Sequence, residues 1–243
     1  MPATMNKQQL LNQTLTLLKK KFPAPPEPDK RPVLEEVVYA ICREGVPSAK
    51  ADAAYARMRS EFFDWNEVRV STIQEVANVF EGLPDAGDRA KRVVEFLQEH
   101  FERTYSFELD DLEKKGLKQA AKQLARYKDK GVSDFVVAWV TQRSLGGHAV
   151  PLDEPTLRVL RRLNVIEEGE IDDLEAVRGS IEHFIPKAKG FEFTEEMIQL
   201  ADAVCVADTP HCPHCPLKAD CPTGIENLSK PKAAADKPKP KSR

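Results

Sequence analysis

The sequence lacks the long apolar runs that a membrane-spanning helix requires. No segment approaches the roughly 20 consecutive apolar residues needed to cross a bilayer, although 41% of the 243 residues are hydrophobic. Valine, isoleucine and threonine do not alternate with polar residues between turn-forming residues, so no β-strand is predicted. The first 15 residues are polar and contain no apolar core of the kind found in secretory signals. We therefore expect a helical protein of the cytoplasm, with reduced thiols.

An excess of positive charge is also missing. The chain has 36 Lys and Arg residues against 39 Asp and Glu residues, which gives a net charge of −3 and a pI of about 6.0. A nucleic-acid-binding protein with this balance must gather its basic residues on one face. The length is sufficient to bury a substantial core, in one domain or in two closely associated ones.

Apolar residues recur at helical spacing through most of the chain, so the sequence predicts an all-α fold. A first helix carries Leu10, Leu11, Leu15 and Leu18 on one face. Further helices are predicted at Val33–Arg43, after a cap at Ser48, after a capping box of Ser71 and Gln74, at Arg89–Phe101, Leu117–Tyr127 and Asp134–Leu145, and from near Pro155, Asp172 and Thr194.

Cysteine is scarce, but four of the five cysteines lie in one short C-terminal segment. These are Cys205, Cys212, Cys215 and Cys221, with the spacing C-x6-C-x2-C-x5-C. Grouped thiolates select zinc or an iron–sulfur cluster, whereas disulfides conflict with a reducing compartment. Zinc sites usually pair two short knuckles, and only one is present here, although His211 and His214 are competing zinc ligands. A [4Fe–4S] cluster accepts four thiolates from a winding loop more readily, and we prefer this interpretation.

This cysteine spacing resembles the cluster loop of the endonuclease III family of helix–hairpin–helix DNA glycosylases. The resemblance implies two intimately associated helical domains. One comprises residues 31–145, with six helices and a degenerate hairpin; the other comprises residues 1–30 and 146–224 and bears the [4Fe–4S] cluster. Residues 225–243 are rich in lysine and proline and are predicted to form a disordered basic tail. The family binds damaged double-stranded DNA with one nucleotide flipped out, and we expect a monomer that does the same.

The segment around residue 131 resembles the hairpin of the family only in part. In relatives, a glycine turn aims backbone N–H groups at a DNA phosphate, for which close approach and positive φ are needed. Gly131 and Val132 match that turn, and Ser133 replaces its second glycine. The resemblance implies DNA contacts from these three residues, from Lys130, and from Lys218 in the cysteine segment. The alternative is an ordinary helix corner with a glycine cap.

The segment PLDEPTLRVLRRL places Asp153 on the family's catalytic aspartate. A carboxylate there can stabilise an oxocarbenium-like sugar, but it can equally cap a helix that has Pro155 in its first turn. Bifunctional relatives carry a nucleophilic lysine where this chain has Phe135. Lys128 and Lys130 are nearby, but an exposed lysine stays protonated. AP-lyase activity is therefore expected to be weak or absent.

Two further positions separate this chain from its relatives. Tyr39 stands where the adenine-removing branch carries a glutamate, and Glu44 lies near the residue that fills the gap left by a flipped base. The sequence predicts a DNA base-excision glycosylase that cleaves the N-glycosidic bond. A catalytically inactive DNA-binding paralogue and a zinc-stabilised helical interaction module remain as alternatives.

Overall fold

The computed structural model describes residues 6–23, 26, 30–167, 169 and 173–229, and within these ranges all regular structure is helical. The predicted all-α class is therefore confirmed. In the described part of the chain, the α-helices are α1 (Lys7–Lys21), α2 (Val33–Arg43), α3 (Ser48–Glu61), α4 (Trp65–Val70), α5 (Ile73–Asn78), α6 (Ala86–Thr104), α7 (Leu117–Leu124), α8 (Asp134–Arg143), α9 (Glu154–Arg162), α10 (Leu174–Phe184), α11 (Gly190–Ala203) and α12 (Pro222–Ser229). Short 3-10 helices lie at Asp110–Lys114, Ala125–Lys130, Lys187–Lys189 and Cys212–His214.

Helix α2 has the predicted limits because its sequence specifies both ends. Pro32 precedes its first residue, and Gly45, with a φ of +70°, follows shortly after its last. The apolar face of α1 also lies where predicted, and the side chain of Asn6 caps this helix in a capping box with Gln9.

Two predicted helix starts are wrong. The capping box before α5 is formed by Thr72 and Glu75, not by Ser71 and Gln74, because α4 continues to Val70 and Ser71 bonds back to it. Ser48 is the first helical residue of α3, and its side chain does not cap that helix. The predicted start at Asp172 lies outside the described residues, and α10 begins at Leu174.

The helices enclose two hydrophobic cores. The first core is built from α2–α8 and includes Leu34, Ile41, Phe80 and Phe96. The second core joins α1 to α9–α11 and to the cysteine segment, and it includes Leu11, Leu18, Phe193 and Leu217. The first core also includes Ile198 from α11, so the two cores do not separate strictly along the predicted domains, whose boundaries stay predictions. Burial of these aliphatic and aromatic side chains is the main driving force for each half.

The end of the described chain differs from the predicted tail. Helix α12 continues to Ser229, so residues 225–229 are helical where a disordered tail was expected. The backbone N–H of Ile225 donates to the carbonyl of Cys221 at 2.9 Å, which ties the helix start to the last cysteine. Residues 230–243 lie outside the described residues. None of the helices in the described ranges is long and apolar enough to cross a membrane.

Candidate functional site

The four C-terminal cysteines line one small cavity between α9 and α12. Its volume is about 20 Å³, and Arg162, Val204 and Gly224 contribute to its wall. All four cysteines are free thiols, so the disulfide alternative is not supported. His211 and His214 are exposed and do not line this cavity. Of the candidate metal ligands in this segment, the four thiols line the cavity and the two histidines do not.

Each of the four sulfur atoms faces a nitrogen donor. Such hydrogen bonds stabilise thiolate over thiol and tune cluster ligands. The pairs are Arg162 Nη1 with Cys205 Sγ at 3.4 Å, Asn227 Nδ2 with Cys212 Sγ at 3.5 Å, the N–H of Gly224 with Cys221 Sγ at 3.3 Å, and the N–H of Leu217 with Cys215. Sequence inspection missed the two side-chain donors, because neither has a recognisable spacing from the cysteine that it contacts.

Burial makes two of the four thiols, those of Cys215 and Cys221, poorer acids than usual. It raises the pKa of Cys215 to about 11, and proximity to the other three thiols adds to the effect. Burial likewise raises the pKa of Cys221 above its usual range. A cationic centre offsets this penalty, since each thiolate then has a counter-charge.

The donor set fits a centre of several metal atoms. Among the described residues, no three or more histidine, cysteine or acidic side chains are grouped so that they could hold a metal ion. The four thiols nevertheless converge on one cavity. Four thiols around one cavity are a ligand set that a [4Fe–4S] cluster and a zinc ion both accept.

Two arginines of α9 brace the start of the cysteine loop, defined here as residues 205–221. Arg158 Nε donates to the carbonyl of Cys205 at 3.0 Å. Arg162 donates to the carbonyls of Val206 at 2.7 Å and Ala207 at 2.6 Å. These bonds satisfy loop carbonyls that have no helical partner. Lys218, predicted to meet DNA, is exposed, and its Nζ donates to the Pro213 carbonyl at 2.9 Å.

The hairpin, residues 128–133, connects the 3-10 helix after α7 to α8. Gly131 has a φ of +90°, and a Cβ atom built there would lie 2.4 Å from the carbonyl oxygen of Arg92. Glycine is therefore required both by conformation and by the close approach of α6. Ser133 caps α8 as predicted, whereas the side chain of Val132 is fully buried and could contact DNA only through its backbone. Lys130 is exposed, with Nζ 3.9 Å from Glu99.

The carboxylate of Glu44 joins the end of α2 to this hairpin. Ser133 Oγ lies 2.9 Å from both carboxylate oxygens, and Arg92 Nη2 lies 2.5 Å from Oε2. Arg92 Nε also donates to the Gly131 carbonyl at 3.0 Å. Arg92 therefore holds the hairpin and Glu44 together, a role that the sequence did not indicate.

A cleft lies between the two cores, beside the hairpin. This central cleft has a volume of about 180 Å³ and is lined by Glu44, Ser133, Asp134, Phe135, Leu152, Leu174 and Arg178. Phe135 belongs to the first core and Leu152 to the second, so the cleft marks the junction of the halves. Neither Lys128 nor Lys130 lines it. Tyr39 is also outside, with its hydroxyl donating to Asp52 Oδ1 at 2.7 Å.

Asp153 follows Leu152, which lines the central cleft. Asp153 itself is buried and is not among the residues that line the cleft. Its Oδ1 accepts from the N–H of Thr156 at 3.1 Å, which confirms the predicted capping of α9. Its Oδ2 accepts from the N–H of Gly45 at 3.2 Å and lies 3.6 Å from Arg43 Nη1. The Arg43 and Asp153 side chains are each only 2% exposed. The carboxylate thus holds α9 against the α2–α3 connection, while its catalytic role stays a prediction.

Several proteins of known structure share this helical architecture. No protein-family model matches the chain, and no curated protein matches it. Solved structures do match. A non-covalent endonuclease III–DNA complex has a TM-score of 0.73 at 21% identity, covering 93% of this chain and 100% of that one. A trapped endonuclease III–DNA covalent intermediate gives 0.72 at 20% identity, covering 92% and 99%.

A further solved structure, a thermostable thymine-DNA glycosylase, has a TM-score of 0.63 at 15% identity and covers 90% of this chain and 97% of that one. The likeness to each of these three structures covers at least 90% of this chain. It agrees with the helical architecture expected from the cysteine spacing. The chain therefore has the fold of endonuclease III.

Proposed function

We propose that the protein binds damaged duplex DNA and removes a base as a DNA N-glycosylase without AP-lyase activity. The observation that carries this proposal is the central cleft, which lies between the two cores in a chain that shares the endonuclease III fold over 93% of its length. Chemistry on a base requires that the base leave the stacked duplex and enter such a pocket.

The lining of the central cleft suits one flipped nucleotide. Phe135, Leu152 and Leu174 supply apolar surface against which the base faces can be buried. Arg178 lies among the polar lining residues and supplies hydrogen-bond donors. A mixed lining of this kind allows both burial and orientation of a base.

The proposed reaction stops at an abasic site. Among the described residues, no lysine lines the central cleft, and the phenyl ring of Phe135 cannot form a Schiff base with the sugar. Strand cleavage by β-elimination is therefore not expected. Asp153 follows Leu152 in the chain, and its carboxylate is the group that would stabilise positive charge on the sugar as the glycosidic bond breaks.

We also propose that Cys205, Cys212, Cys215 and Cys221 hold a [4Fe–4S] cluster. Their shared cavity and the nitrogen donor at each sulfur support this assignment. When bound, the cluster would cross-link the cysteine loop through the four thiolates. This chain's own residues, Arg158 and Arg162, then hold the loop against α9.

The cluster is tested by anaerobic purification, iron and sulfide analysis, and absorption spectroscopy. The protein should contain iron and absorb broadly near ~400 nm. Cys212→Ser should greatly reduce both measures, whereas Cys42→Ser should preserve them because Cys42 is buried in the first core. A colourless protein with one bound zinc would end this assignment and favour the zinc-stabilised module.

One observation favours a second candidate, a lesion-binding protein without catalysis. Both oxygens of Asp153 accept backbone hydrogen bonds, Arg43 faces one of them, and the carboxylate is absent from the described lining of the cleft. A carboxylate neutralised by an arginine stabilises a cationic sugar less effectively.

Duplexes that contain an oxidised pyrimidine, uracil, a mismatch or an abasic site distinguish the two candidates. A glycosylase should release a base from at least one of them, with strand breaks appearing only after alkali and no borohydride-trapped adduct. Tight lesion binding without release would favour the second candidate. Equal affinity for intact and damaged duplexes would contradict both.

A further inference from the structure

The free protein holds one of its own carboxylates in a site built for an anion. Arg92 Nη2 and Ser133 Oγ contact the Glu44 carboxylate at 2.5 and 2.9 Å. The Arg92 and Glu44 side chains are 19% and 25% exposed, so this group lies at the surface rather than in a core. A ligand from solution can therefore reach the two donors once Glu44 turns away.

Three features of the site favour an oxyanion. Arg92 is fixed in place because its Nε donates to the Gly131 carbonyl at 3.0 Å, and guanidinium groups pair well with carboxylates and phosphates. Ser133 adds a hydroxyl donor. Ser133 is also the N-cap of α8, whose positive dipole end favours negative charge. The Glu44 carboxylate interacts with all three features, so in the free protein it takes the place of an external anion.

We propose that Arg92 and Ser133 bind a DNA phosphodiester, and that Glu44 occupies their site until the duplex displaces it. This inference rests on the proposed DNA binding. A phosphodiester carries one negative charge and two free oxygens, as does the carboxylate, so the exchange keeps the local charge balanced. Glu44 then acts as an internal competitor of the duplex and not as a residue inserted into the base stack.

The exchange has a measurable electrostatic signature. In the wild-type protein, the phosphate contact at this site is offset by the released carboxylate. In Glu44→Gln, Arg92 carries an uncompensated charge, and binding should neutralise one additional phosphate. Each neutralised phosphate changes the slope of log affinity against log salt by about 0.9.

The test is a salt series of equilibrium binding with a short fluorescent duplex. Glu44→Gln should bind about fivefold or more tightly at low salt, with a slope steeper by about one. Adding Arg92→Ala to Glu44→Gln should remove the gain. Glu113→Gln, which removes the same formal charge from an exposed position on the 3-10 helix Asp110–Lys114, should change affinity less than about twofold. Thermal unfolding confirms that each variant is folded.

The outcomes separate the two proposals. If the wild type binds duplex and Glu44→Gln binds no more tightly, the anion-site inference is wrong. Weaker binding by Glu44→Gln would mean that Glu44 itself contacts DNA, which also overturns it. If neither protein binds duplex, DNA binding fails and the inference fails with it. Sulfate provides an independent check, since it should raise the melting temperature of Glu44→Gln more than that of the wild type, and an equal effect would count against the site.

Discussion

Replacing Asp153 by asparagine tests whether this carboxylate is chiefly a structural counter-ion. Asparagine is as good a helix N-cap as aspartate and can still accept from the N–H of Thr156. Its amide NH₂, however, would face the donating N–H of Gly45 and would leave Arg43 without its ion-pair partner. The substitution therefore removes a charge from a buried pair while it keeps the cap.

The magnitude follows from the burial of Arg43, which is 1% exposed. Removal of one partner of a buried ion pair typically costs about 3 to 5 kcal/mol. Arg43 retains a hydrogen bond to the Val46 carbonyl. Arg43 also interacts electrostatically with Asp202. Burial raises the pKa of Asp202 above its usual value, and the positive charge of Arg43 offsets part of that rise. We therefore expect a loss near the lower end, about 3 kcal/mol, or roughly 6 to 12 °C in melting temperature for a chain of this size.

The assay is urea denaturation of the purified protein, followed by circular dichroism, with the double variant Arg43→Met/Asp153→Asn as its partner. Removal of both charges should restore most of the lost stability, since no buried charge then lacks a partner. If Asp153→Asn loses less than about 1 kcal/mol, or if the two substitutions are additive, the counter-ion argument is refuted. The stable double variant is also the proper protein in which to measure base release without the carboxylate.

Further predictions concern backbone, pH and cluster retention. In urea denaturation, Gly131→Ala should lower the free energy of unfolding by about 3 kcal/mol and Gly82→Ala by about 1 kcal/mol. Both glycines have positive φ, but of the two only Gly131 has backbone atoms within contact distance of a new Cβ. Equal losses would contradict the close approach of α6. Burial raises the pKa of Glu196 to about 7 from its usual 4.5, so stability should fall as pH rises from 4.5 to 7. Glu196→Gln should therefore stabilise by about 2 kcal/mol at pH ~8 and little at pH ~4.5, as measured by thermal unfolding at the two pH values. Arg162→Met should speed the loss of absorption near ~400 nm in air several-fold, because Arg162 contacts the cysteine loop. Arg161→Met should not, because Arg161 pairs with Glu154 instead.

The spacing of apolar residues was sufficient to predict most helices, because it indicates which face of each helix is buried. The limits of α2 were predictable from Pro32 before the helix and the Glu-Gly sequence after it, although Asp110 and Arg89 also bind backbone groups at its two ends. The α5 capping box was misplaced because Ser71 and Thr72 each precede a Glu or Gln by three residues, and the choice depends on where α4 ends. That end is set by tertiary packing against α6, which adjacent sequence does not encode.

The candidate site was only partly predictable, for a related reason. The cysteine loop is contiguous, so its spacing alone indicated one metal centre. Arg92 and Glu44 are 48 positions apart, and no short motif links them. Arg43 gave one clue, since it ends an otherwise apolar helix, but its partner Asp153 belongs to the other half of the molecule.

The second core contains α1 and also α9–α11, so it is assembled from the two ends of the chain. During synthesis, α1 emerges first but finds its partners only after α11 has been made. The first core, formed almost entirely by consecutive helices from Val33 to Val140, can instead condense early. A growing polypeptide should therefore pass through a stage in which the first core is complete while α1 still lacks its packing partners.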